Sequence, residues 1–94
     1  MSVTRLVLDG VIPGCRSLKE KRRVLNSIRD RIGRRTNLAM AELDDQDKWQ
    51  RTRLLFVAAG SNSQLNRQSL EQIVTLLDEE GQIQIMDAAL EELE

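Results

Sequence analysis

Ninety-four residues, of which 40% are hydrophobic and 31% charged, predict one soluble globular domain with no room for a second core. Cys15 is the single cysteine and histidine is absent, which excludes an internal disulfide, a thiolate metal cage, Ser-His and Cys-His nucleophiles and every histidine-ligated metal. The formal net charge is −1, but Arg16 to Arg35 carries nine basic residues against Glu20 and Asp30, while Glu71 to Glu94 carries eight acidic residues and no basic one.

In chain order, Met1 to Gly10 alternates apolar with charged residues and has neither the apolar run nor the cleavage site of a signal peptide. No stretch approaches the roughly 20 apolar residues that span a bilayer, so a cytoplasmic protein with no membrane partner is expected. Residues 4 to 12 place Leu6, Leu8 and Ile12 on one side and Arg5, Val7, Asp9 and Val11 on the other, the pattern of a half-buried strand closed by Pro13-Gly14. Ser17-Leu18-Lys19-Glu20 has the form of a capping box, in which Ser17 accepts from the Glu20 amide and Glu20 reaches back to the Ser17 amide. Leu18, Val24, Leu25, Ile28 and Ile32 then share one helical face up to Gly33.

Thr36 to Leu43 reads as a second strand. Leu38 and Met40 share a face but Leu43 is out of phase, so a bulge near Ala41-Glu42 is expected. Thr52 to Ala59 is the most strand-like run, and it forms a hairpin with the second strand across the polar turn Asp44 to Arg51. After the turn Gly60 to Ser63, Leu70, Ile73, Val74 and Leu77 give the stripe of a second helix, with Gly81 as its C′ residue. Ile83 and Ile85 make a last short strand, followed by an acidic tail too charged to add core. The order strand, helix, strand, strand, helix, strand predicts an α+β ferredoxin-like βαββαβ domain over residues 1–94, with two helices on one face of a four-stranded antiparallel sheet.

The string Pro13-Gly14-Cys15-Arg16-Ser17-Leu18-Lys19-Glu20-Lys21-Arg22-Arg23, followed later by Asp47-Lys48-Trp49-Gln50, resembles the two signatures of the YlxP-like family, small bacterial proteins catalogued as a domain of unknown function. The resemblance covers nearly the whole chain. It implies a ferredoxin-like fold and a gene neighbourhood of translation and ribosome-maturation factors, which hints at RNA without defining an activity. Cys15 stands where the family usually has alanine, so no family role attaches to the thiol.

Arg16, Lys19, Lys21, Arg22 and Arg23 crowd the first turns of a helix, where the macrodipole disfavours cations by about 0.3–1 kcal/mol each at exposed sites. A bound phosphate would compensate, and so would Glu20 with the acidic carboxy-terminal segment, within the monomer or across a dimer. No P-loop pattern is present. Lys21 falls within the apolar stripe, and the expectation is that its stem packs while its ammonium escapes past the sheet edge, in preference to a ligand contact.

RNA-recognition modules of this architecture stack bases on sheet aromatics, but Phe56 is the one strand aromatic and its phase turns it towards the helices. The open face instead offers Val7, Val11, Leu55 and Val57 among Arg5, Asp9 and Arg53, which points to a homo-oligomer. Asp44, Asp45 and Asp47 do not meet the EF-hand requirements and read as a solvated loop, and no cofactor is expected. Trp49 either packs on the sheet edge or stands exposed as an anchor for a partner. Two functions follow: a noncatalytic module associated with RNA or a ribosomal component through the basic helix, or an oligomeric structural or regulatory protein that meets protein partners through the open sheet and Trp49.

Overall fold

The computed structural model describes residues 1–43 and 48–94. The elements run β1 (Ser2–Val11), α1 (Leu18–Ile32), β2 (Leu38–Glu42), β3 (Arg51–Gly60), α2 (Ser63–Glu80) and β4 (Gln84–Glu92). The strands form one sheet in the order β2-β3-β1-β4, with each neighbouring pair antiparallel. This is the expected ferredoxin-like arrangement.

The two central strands are the longest and pair without interruption from Ser2↔Gly60 to Val11↔Arg51. Their period-two pattern sends Leu6, Leu8, Leu54, Phe56 and Ala58 to one face. There they pack with Leu25, Ile28 and Ile32 of α1 and with Leu70, Ile73 and Leu77 of α2, so both helices cover the same side. Asn62 caps α2, accepting from the Gln64 and Leu65 amides, and Gly81 ends it in the left-handed conformation at φ 72°, where a side chain would be strained.

Four local features differ from the sequence reading. At α1 the Ser17 hydroxyl accepts from the Glu20 amide at 3.1 Å as expected, but the Glu20 carboxylate accepts from the Arg16 amide at 2.7 Å, one residue before the Ser17 amide of a capping box. Leu18, placed on the apolar stripe, stays exposed at the helix start. The last strand does not stop at Ile85 but continues through the acidic tail to Glu92. Backbone pairing with the edge of β1 needs no apolar side chains, and the strand finds cations too, since Glu91 pairs with Arg5 and Glu92 with Arg67. Its register shifts between Asp9 and Gly10, where the backbone passes so close to Ile83 that a Cβ on Gly10 would lie 2.5 Å from Ile83 Cγ2.

The fourth difference governs the site. No bulge interrupts β2, which pairs with β3 continuously from Leu38↔Ala58 to Glu42↔Leu54. Leu38, Met40 and Glu42 therefore share the helix-facing side, and it is Glu42, not Leu43, that continues the inward series.

Candidate functional site

The faces of α1 divide sharply. Lys21, Leu25, Ile28 and Ile32, spaced four, three and four apart, point inward and are buried. The outward side gathers Lys19, Arg22, Arg23, Asn26, Ser27, Asp30 and Arg31 around a shallow hollow. Two of these cations are engaged: Arg22 lies 3.4 Å from Glu42 Oε1, and Arg31 pairs with Glu80 at the end of α2. The side chains of Arg16, Lys19, Arg23, Arg29 and Arg34 meet no acidic partner among the described residues. Among the described residues the acidic carboxy-terminal segment pairs Glu91 with Arg5, Glu92 with Arg67 and Glu80 with Arg31, so Arg31 is the one residue of the basic segment that its carboxylates pair with, while Arg35 donates to the Gln72 side chain.

Lys21 departs from both of its sequence readings. Its side chain is 1% exposed, its Nζ lies 2.9 Å from Glu42 Oε2, and it donates to the Lys48 carbonyl at 2.7 Å. The ammonium does not escape to solvent and is enclosed by Glu42 and the Lys48 carbonyl, so Lys21 leaves the set of candidate anion contacts. The Glu42 carboxylate is 5% exposed and receives Lys21 on one oxygen and Arg22 on the other. Burying two charges is costly unless they are paired, and here the two form a close ion pair while the Lys48 carbonyl accepts a hydrogen bond from the ammonium. Glu42 is the residue that the sequence reading missed. Its signal was present in the alternation with Leu38 and Met40, but the assumed bulge hid it.

The segment 48–50 is tied to the start of α1. The Ile12 amide donates to the Gln50 carbonyl at 2.7 Å, the Gln50 side-chain amide donates to the Cys15 carbonyl at 3.4 Å, and Lys21 holds the Lys48 carbonyl. Between these anchors Trp49 is 51% exposed. It lines a shallow hollow with Lys48, Gln50 and Arg51. Cys15 is buried, with its thiol donating to the Ser17 carbonyl at 3.3 Å. Asp44, Asp45 and Asp47 lie outside the described residues, and among the described residues no three histidine, cysteine or carboxylate side chains group to hold a metal.

A family model described as "Protein of unknown function (DUF503)" matches residues 3–90, a span that includes both signature strings, α1 and the Trp49 segment. The chain belongs to this family. It is 36% identical over 62 residues to "Uncharacterized protein YlxP" of Bacillus subtilis (strain 168), an overlap of 66% of this chain and 67% of that relative.

This DUF503 chain also carries an apolar row on its open sheet face. On the side of the sheet away from the helices, Ala41, Leu55, Val7 and Ala89 form a row across all four strands, with Val57 beside it. Val7, Leu55 and Val57 are half-buried by their neighbours but lie under no element of the chain. The Arg5–Glu91 and Arg53–Asp9 pairs flank the row. Among the described residues, no helix is long and apolar enough to cross a membrane.

Proposed function

We propose that this protein is a noncatalytic, cytoplasmic RNA-binding module that engages RNA or a ribosomal component through the outward face of α1. The observation that carries this reading is the imbalance along α1 and its two ends: Arg16 just before the helix, Lys19, Arg23 and Arg29 within it and Arg34 just after it lack acidic partners among the described residues although the chain as a whole is slightly acidic. Such a stripe attracts a polyanion by releasing its condensed counterions.

Replacing Arg16, Lys19 and Arg23 together by alanine spares the Arg22–Glu42 contact. It should weaken binding to a single-stranded RNA and reduce the slope of log affinity against log salt by up to about 2, at about 0.7 per phosphate contact. Thermal stability should hold or rise, because cations near a helix start oppose its dipole. A variant that melts far lower, together with a wild type whose RNA binding does not respond to salt, would make the cluster structural and end this reading.

A second reading rests on the uncovered row Ala41–Leu55–Val7–Ala89: two copies of the chain pair through their open sheet faces. Val57→Arg should then lower the solution mass measured by light scattering while leaving the melt intact. A wild type that stays monomeric at high concentration would refute the pairing.

A further inference from the structure

We infer that Trp49 and the cations at the start of α1 form one composite surface for single-stranded RNA, with a base stacked on the indole and the adjoining phosphates on Arg16 and its basic neighbours. The inference rests on the RNA reading above and adds a ligand class to it.

Three observations carry it. Trp49 keeps 51% of its surface exposed although apolar area gains from burial, so the ring is displayed and not stored. The display is fixed on both sides: Lys48 before it is held by Lys21 of α1, and Gln50 after it is held by Ile12 and Cys15 of the loop that leads into α1. Arg51 borders the hollow beside the ring, and the Gln50 bond to the Cys15 carbonyl ties the segment to the residue that precedes Arg16. An exposed aromatic plane with a cation beside it and a basic helix start tied to the same segment suits single strands, because every base has a face to stack while the phosphates need only charge. It also selects against duplexes, whose bases already stack on each other and present no free face. The cation Arg51 borders the same hollow as the ring, and a positive charge beside an exposed aromatic suits a polyanion.

The buried ion pair thereby acquires a role beyond packing. Lys21 is a positioning residue, since its ammonium joins Glu42 of β2 to the carbonyl next to Trp49.

Trp49 is the chain's one tryptophan, so its fluorescence reports its own contacts. The test titrates the full chain with an unstructured oligouridylate and, separately, with an RNA duplex. Saturable quenching by the single strand is expected. Trp49→Ala should weaken that binding roughly tenfold to a hundredfold, Trp49→Phe should restore most of it, and duplex affinity should not change. Circular dichroism confirms that each variant is folded. Salt-sensitive binding with unchanged emission, and equal affinity for Trp49→Ala, would overturn the composite surface while leaving the basic-helix reading intact. Loss of both ligands in Trp49→Ala, or quenching by the duplex alone, would also contradict it. If neither RNA binds the wild type, the basic-helix reading fails first and the composite surface falls with it.

Discussion

Phe56→Asp is expected to leave the chain unfolded under conditions where the wild type is native. Phe56 has no exposed surface, sits on a central strand, and pairs across to Leu6 on one side and Met40 on the other. The substitution removes the core's one aromatic ring and puts in its place a carboxylate on the apolar side of the sheet, where the buried ammonium of Lys21 is already paired with Glu42. A chain of this size has roughly 5–15 kcal/mol of total stability, and an unpaired buried charge with a cavity around it takes a large part of that. Leu8→Asp should act in the same way, since Leu8 is equally buried on β1. The check is far-ultraviolet circular dichroism with a thermal melt. The contrast with Val57→Arg, one residue along the same strand, makes the result specific to the face: the first variant should lose its cooperative transition and the second should keep it. Retention of a cooperative melt in Phe56→Asp would contradict the strand phase.

Lys21→Met is expected to destabilise the fold by about 3–5 kcal/mol, because it leaves the Glu42 carboxylate buried without its ammonium. Arg22 remains 3.4 Å from the other carboxylate oxygen and should hold the loss towards the lower end of that range. The variant also strips the donor from the Lys48 carbonyl, so the emission of Trp49 should shift even before unfolding. Adding Glu42→Leu to Lys21→Met should recover most of the lost stability, since two apolar side chains can fill the space of a buried pair without its desolvation cost. Chemical denaturation of the two singles and the double measures this as a coupling energy. Single variants within about 1 kcal/mol of wild type would show that the pair is solvated.

These two cases also mark how far the fold and site are legible in the sequence. Phe56, Leu6 and Leu8 could be placed because a strand's period is local, and seven or eight residues suffice to read it. The stripe of α1 was legible for the same reason, as was Gly81, whose left-handed geometry ends a helix in a way that glycine signals directly. Lys21 and Glu42 were harder. Each violates its own element's pattern, one as a charge in an apolar stripe and the other as a charge on an apolar strand face, and local rules treat each as an error to explain away. Together they are one interaction across 21 positions of sequence, which no local period contains. The tail was misread for a related reason: composition ranks Asp87 to Glu92 as solvent-loving, while the unpaired edge of β1 sets the structure that the backbone adopts. The basic segment itself was visible from charge alone. What the sequence could not supply was which cations lack partners, and that Trp49 is fixed at the end of the molecule where α1 begins.

The most direct test of the account is a map of amide shifts in the ¹⁵N-labelled chain as an unstructured oligouridylate is added. Dose-dependent changes should concentrate on Arg16, Lys19, Arg23 and the segment Lys48–Arg51 and fade as salt is raised, with Val7, Leu55, Val57 and the β4 edge undisturbed. A map centred on the open sheet face, or no shifts at any salt concentration, would contradict it.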